Sequence, residues 1–464
     1  MHYEPNLVHP QLFLDDIGIA DSTRVARVWH SPRKYPDPVL MAEHPWERWC
    51  PVTYGTVLRR DDRFHIWYCV WTRDHQPRAC YAVSEDGVEW HKPELGICEF
   101  QGSTANNIIL DSLSPGGLVD DIAVIEDPDD TEWPLKALFW DGAWPKTNEP
   151  GIHLARSADG IHWDRSAGVV LPKWGDRFNA TPCKVNGKYI LLGRVPPEVL
   201  AEAAPSRFDR GRVVWRTESD NLIDWSPPEL VLTTDLEDPV HRQVYSATAF
   251  SYGDLLLGGM ERMWLSPDKL DTEIIWSRDL GHTWQRSRTR PSFIPWGAEG
   301  SWDDTWINLP TNGPIVCDDR LWFYYSGRSG AHQARYPHNH GGIGLATLRL
   351  DGFASLQAQE AWGHVLTQPL LWPAAELHVN LDPRRNLEAH QTHATGELVV
   401  AVRDETNQPL EGFDWSDCVP LVANTIDQRV EWKGTKALRS LAGRRLRLEF
   451  RLRDCHLYSF HAKD

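Results

Sequence analysis

One short signature recurs along this chain and restricts its fold more than any other feature. It reads Ser84-Glu85-Asp86-Gly87-Val88-Glu89-Trp90, then Ser157-Ala158-Asp159-Gly160-Ile161-His162-Trp163. Looser copies occupy Glu218–Trp225 and Ser277–Trp284, and a degraded one is Leu350-Asp351-Gly352-Phe353. Aligned on Asp86, Asp159, Asp220, Asp279 and Asp351, the copies lie 73, 61, 59 and 72 residues apart. The residue types describe a hairpin tip. Asp folds its side chain back onto the backbone, Gly accepts a positive φ, and the Trp staples the turn to its sheet.

β-rich segments precede each copy. The nearest are Cys80–Val83, Ile152–Ala155, Val213–Arg216, Glu273–Trp276 and Ile343–Ala346; a second strand precedes each, as at Phe64–Tyr68 and Leu321–Tyr325. First strands are expected near 52–58, 120–126, 179–185, 244–250 and 307–316. A strand-turn repeat of this period is the grammar of a propeller with four strands per blade. The expected fold is therefore all-β: a five-bladed β-propeller over residues 1–360, followed by a C-terminal β-sandwich over 375–464. The sandwich is read from alternating segments such as Gly396–Val402 and Arg444–Leu452. An irregular sandwich with coincidental turns is the competing reading. Helical periodicity is almost absent, with one or two turns expected around Pro196–Ala204.

A net charge of −17 argues against nucleic acid and anionic membrane as partners. No apolar run is long enough to span a bilayer. Met1–Pro5 shows no basic or apolar leader, so a cytoplasmic location is expected. The eight cysteines form no CxxC pair and read as buried free thiols. There is no P-loop, Rossmann fingerprint, HExxH or GxSxG.

A five-bladed propeller followed by a sandwich resembles the invertase and inulinase type of glycoside hydrolase, and arabinanases and β-xylosidases share the propeller. Gln11-Leu12-Phe13-Leu14-Asp15-Asp16 and the stretch Leu448–Phe460 are similar to a broad bacterial group of that superfamily. The invertase WMNDPNG-like, RDP and EC motifs are not present. Asp127-Pro128 and Asp238-Pro239 lack the preceding Arg. Ser277–Trp284 also resembles a sialidase box, but sialidases carry six blades and an FRIP-type motif. The resemblance implies hydrolysis of a glycosidic bond, exo-acting on a furanoside or small oligosaccharide. It implies a carbohydrate partner and no cofactor; a structural calcium is not readable. Self-association through the sandwich is a further expectation. A non-catalytic carbohydrate-binding propeller and a sialidase-like hydrolase are the alternatives.

Such hydrolases need two carboxylates at the scissile bond, and propeller ligands sit where the first strands of the blades converge. Acids near those strands are Glu47, Asp121, Asp176, Glu261 and Asp303. Asp120 and Asp121 should point to opposite faces of one strand, so only one should face the pocket, and Asp121 is favoured. Each acid has a plain alternative: Glu47 as a surface acid or a partner of Arg48, Asp176 as a turn cap or a partner of Arg177, Glu261 on an outer strand. Trp46, Trp49, Arg177, His241, Tyr245, Trp302, Arg328, His332 and His338 are the candidate substrate contacts. The loop carrying His332, His338 and His340 reads as a pocket rim, and no metal site is expected.

Overall fold

The computed structural model describes residues 4–47, 49–71, 77–112, 117–142, 150–196, 199, 212–332, 340–385, 387, 396–434 and 437–464. His338, Arg48 and most of Pro196–Ala204 fall outside them. The chain is built almost wholly of antiparallel strands, in two compact units. Residues 32–317 and 321–347 form one; 1–31, 318–320 and 348–464 form the other. This differs from a division at 360–375. Gln11–Leu12, Ile19–Thr23 and Ala26–Trp29 pair with strands that lie after residue 348. No helix among the described residues is long and apolar enough to cross a membrane. All eight cysteines are free, six of them buried.

The larger unit is a succession of four-stranded meanders. The first comprises Cys50–Arg60, Arg63–Trp71, Arg78–Ser84 and Ile108–Leu110. The second comprises Leu118–Glu126, Leu135–Gly142, Gly151–Ser157 and Asp164–Pro172. A third runs from Asn179–Ala180 to Glu229–Leu232, and a fourth from Arg242–Ala247 to Gln285–Arg286. In the last, Trp306–Asn308, Arg320–Ser329 and His340–Arg349 take their outer pairing from Arg33–Lys34 and Leu40–Met41. Apolar clusters lie between consecutive meanders. Trp67 and Cys69 pack with Ile122 and Leu135, and Leu138 with Tyr189 and Trp215. Ile190 packs with Val244 and Ile275, while Ile66 and Tyr68 of the first meander pack with Tyr324 and Ile343 of the last. The packing of last on first closes the succession on itself.

The recurrent turns are built as their residues dictate. The Ser84 hydroxyl accepts from the Gly87 amide at 2.8 Å, and one Asp86 oxygen accepts from the amides of Val88 and Glu89, both at 2.8 Å. Ser157 and Asp159 repeat these bonds with Gly160, Ile161 and His162. In the third copy the Asp role falls on Asn221, not Asp220. Ser219 accepts from Leu222, and Asn221 accepts from Ile223 and Asp224. Serine, two residues before the acceptor, sets the register, and Leu222 takes the positive φ of 64° where glycine stands in the first two copies. Side chains of the preceding meander hold some of these tips. The Trp67 indole donates to the Gly160 carbonyl at 2.6 Å, and the Tyr324 hydroxyl to that of Gly87 at 2.8 Å.

The smaller unit has two antiparallel sheets around one apolar cluster. One contains Ala26–Trp29, Ala354–Ala358, Cys455–Lys463, Glu376–Asp382 and Thr425–Arg429 in that order, with Gln11–Leu12 pairing Cys455–Lys463 off this path. The other contains Ile19–Thr23, Gly363–Thr367, Arg445–Arg453, Glu397–Asp404 and Leu370–Leu371. Asp15 and Asp16 belong here: Asp15 accepts from the Ile17 amide in a turn, and Asp16 pairs with Arg27.

Candidate active site

Three first strands of the larger unit carry bulges, and the bulges build the site. The register slips between Val52 and Thr56, between Asp120 and Ile122, and between Val244 and Ser246. A bulge adds a residue to one strand and re-aims its side chain. The residues so displaced include Tyr54, Asp121 and Tyr245. Close backbone approach forces the first bulge, since a Cβ on Gly55 would lie 1.9 Å from the Trp67 carbonyl oxygen. Asp121 takes a φ of 53°, which breaks the two-residue alternation. Both Asp120 and Asp121 are therefore buried, at 4% and 0% exposure, where a regular strand would have separated them.

Arg177 lies between these displaced groups, 1% exposed. It donates to Glu261 at 2.6 and 3.3 Å, to Asp121 at 3.0 Å and to the Leu309 carbonyl at 3.2 Å. Its guanidinium also covers the Tyr54 ring at 4.4 Å. Burial disfavours its charge, but Glu261 and Asp121 outweigh that and raise its pKa. Glu261 additionally accepts from the Leu309 amide at 3.0 Å. Arg177, Asp121 and Glu261 thus form a closed buried triad.

Asp120 is different. Burial, then the negative charges of Asp121 and Asp176, hold its pKa well above the usual carboxylate range. Its hydrogen bond is from the Asp121 amide at 3.2 Å. Asp121 itself is pushed up to about 7 by burial, with Arg177 pulling the other way. Asp176 is half exposed and pairs with Arg194 at 2.7 Å.

An aromatic and cationic wall adjoins these acids. The Tyr54 and Tyr245 hydroxyls lie 3.4 Å apart. Tyr245 meets Trp306 edge-on at 5.3 Å, and the His332 ring stacks on Trp306 at 4.6 Å. Arg212 covers Tyr245 at 4.7 Å, and Arg328 covers Trp306 at 4.7 Å. Burial, then the like charges of Arg328, Arg212 and Arg194, lower the His332 pKa to about 4. Asp176 acts on both His332 and Asp120, which ties the wall to the acids.

Of the sequence candidates, the structure brings together Asp121, Asp176, Glu261, Arg177, Tyr245, Arg328 and His332. It places others elsewhere. Glu47 ends a short 3₁₀ turn, fully buried, and accepts from Tyr68 at 2.7 Å, Lys92 at 2.9 Å and the amides of Glu43 and His44. Asp303 accepts from Lys34 at 2.6 Å, Tyr325 at 3.0 Å and Ser301 at 3.0 Å. Trp46 donates to Asn107, Trp49 packs on Trp71, Trp302 on Tyr325 and His241 on Trp264. Arg194, Arg212 and Tyr54 were not singled out, and Asp120 ranked second to its neighbour. A buried acid beside a bulge has no period-two signal to mark it.

In the smaller unit, His378, Asp427 and His461 offer ligand atoms within 4.8 Å of one another, a grouping the sequence reading did not anticipate. The second Asp427 oxygen is already paired with Lys463.

No protein-family model matches the chain. No curated protein matches it. Solved structures that are similar include an N-acetylgalactosamine deacetylase from F. plautii, at 17% identity and TM-score 0.49 over 70% of this chain and 96% of that one. A glycosyl hydrolase from Bacteroides ovatus is 14% identical, with TM-score 0.45 over 74% and 97%. A protein of the GH130 family of mannoside phosphorylases, which contains glycoside hydrolases that target β-1,2 mannosidic linkages in Candida mannan, is 13% identical, with TM-score 0.46 over 73% and 96%.

Proposed function

We propose that the larger unit is a five-bladed propeller glycosidase, cleaving a furanoside or a small oligosaccharide, with Asp120 as its general acid. The observation that carries this is Asp120 itself. It is a buried carboxyl whose pKa is raised well above the usual carboxylate range by burial and then by the charges of Asp121 and Asp176, and it lies beside half-exposed Asp176 and a wall of rings and guanidiniums. Glycosidic bonds break when one carboxyl protonates the leaving oxygen and a second carboxylate assists attack at the sugar carbon. Asp176 is the carboxylate available for the second role, because Asp121 and Glu261 are committed to Arg177. Asp121 and Arg177 then act as positioning residues, their triad fixing the bulge that carries Asp120.

The test is Asp120→Asn and Asp176→Asn, assayed on a panel of nitrophenyl furanosides, nitrophenyl pyranosides and unactivated oligosaccharides. Loss of a general acid lowers the rate on unactivated substrates by about 10²–10⁴. It spares nitrophenyl leaving groups, which depart without a proton. Wild type that cleaves nothing in the panel, or Asp120→Asn at full activity on oligosaccharides, refutes the proposal.

A further inference from the structure

The wall beside Asp176 holds more positive charge than its neighbours neutralise. Arg177 is matched by Asp121 and Glu261, and Arg194 by Asp176. Arg328 and Arg212 have no ion pair and no side-chain hydrogen bond among the described residues. Arg328 is only 7% exposed, its Nε is buried without a partner, and so is the Trp306 indole nitrogen beneath it. The Nε of Arg194 is in the same state. Arg212 is half-buried over Tyr245, with burial and then Arg194 lowering its pKa.

A guanidinium buried to this degree without a counter-charge is costly. Each orphaned buried group in a native structure calls for an explanation, and a bound ligand that completes it is one. Here the orphaned atoms are all donors: two guanidinium nitrogens and an indole N–H. Their common complement is an acceptor-only group carrying negative charge. Arg177 and Arg194 already have carboxylate partners, so Arg328 and Arg212 are the guanidiniums of the wall left for an anion to pair. The planar fork of an arginine also matches a carboxylate in two parallel hydrogen bonds.

We infer that this wall binds the carboxylate of an acidic sugar, so that the substrate is a uronic-acid-type glycan rather than a neutral one. The inference deepens the glycosidase reading and rests on it for the reaction, though not for the binding. Arg328 supplies the bidentate contact. Arg212 supplies long-range attraction and a second donor.

Isothermal titration of the full chain with D-glucuronate and D-galacturonate tests this, with glucose, galactose and inorganic phosphate as comparison ligands. One uronate should bind about tenfold or more tightly than its neutral counterpart, since a hydrogen bond to a charged group changes affinity about ten- to hundredfold. That binding should weaken with added sodium chloride. Arg328→Gln and Arg212→Gln should each reduce it about tenfold or more. Circular dichroism and thermal melting report whether each variant folds, and the more exposed Arg212 provides the safer variant.

Uronates that bind no better than neutral sugars, phosphate that binds where uronates do not, or folded variants with unchanged affinity overturn the inference. Asp120→Asn separates the two claims, for it should retain uronate binding while losing cleavage of unactivated oligosaccharides. A wild type that binds uronates but cleaves no glycoside sinks the glycosidase reading alone. One that cleaves neutral glycosides without preferring uronides sinks this inference alone.

Discussion

Arg177→Met is the perturbation that most directly tests how the site is held. The substitution keeps an unbranched apolar stem but removes two bonds to Glu261 and one each to Asp121, Asn179 and the Leu309 carbonyl. Glu261 and Asp121 are both fully buried, so no water replaces the lost cation. Removing one partner of a buried ion pair costs about 3–5 kcal/mol, mostly from the charge left behind. A loss in that range is expected in equilibrium urea unfolding followed by tryptophan fluorescence. Glu261→Gln in the same background removes the stranded charge while the amide oxygen still accepts from the Leu309 amide. The double variant should therefore regain about 1–3 kcal/mol, a non-additivity expected of contacting residues. The pH dependence gives a second reading. Burial raises Asp121 to about 7, well above an unfolded carboxylate, so the native state binds the extra proton. Stability from this group is then fullest below the unfolded carboxylate pKa and is lost as pH rises toward and through 7. Arg177 holds that pKa down, so Arg177→Met should steepen the decline between pH 5 and 8. A loss under about 1 kcal/mol, or one that does not vary with pH, refutes the triad as the support of the bulge.

Three further outcomes follow from geometry already described. Glu47→Gln weakens one of the bonds of the buried Lys92, which keeps Glu43 at 3.0 Å and the Met41 carbonyl at 2.6 Å, and should cost about 1.5–3 kcal/mol in urea unfolding while leaving kcat/KM on any cleaved glycoside within about twofold. Gly160→Ala should cost about 1–3 kcal/mol, because its Cβ would lie 2.7 Å from the Trp67 indole at a φ of 78°; Gly168→Ala, with a φ of 70° and open space, should cost about 1 kcal/mol or less in the same unfolding assay. In an NMR titration the His332 ring should stay neutral down to about pH 4. Its pKa is depressed on folding, so its stabilising contribution is lost as pH falls from about 6.5 toward 4, and it should add no inflection to an activity profile between pH 5 and 8.

The sequence disclosed what repeats and hid what departs from repetition. The Ser-x-Asp-Gly tips and the strands before them were legible because each is a local bond pattern that recurs in composition. Asn221 is masked in the sequence by the adjacent Asp220, whereas the hydroxyl of Ser219 fixes the register. The candidate acids were chosen by nearness to first strands, a rule that cannot tell Glu47 in its closed cage from Asp121 in the triad. Asp120 was set second by the alternation of a regular strand, which the bulge cancels. Arg194 and Arg212 lie in the third meander and Arg328 in the last, and nothing local in the sequence announces that they meet. The outer strands of the last meander, from residues 33–34 and 40–41, carry no alternating pattern long enough to notice.

Those outer strands have a consequence for how the chain reaches its fold. Ala346 pairs with Lys34 and Gly342 with Met41, and the buried hydroxyls of Thr53 and Ser326 meet at 2.8 Å across 273 residues of sequence. The entropy of closing so long a loop rises only slowly with its length, but it is lost before any contact compensates it. The early meanders are local and can form as they leave the ribosome. The first of them must wait for the last to cover its apolar face, and Ile66 and Tyr68 stay wet until Tyr324 and Ile343 have been made. Closure is thus expected to be the slow step, and the unclosed chain the species most exposed to aggregation.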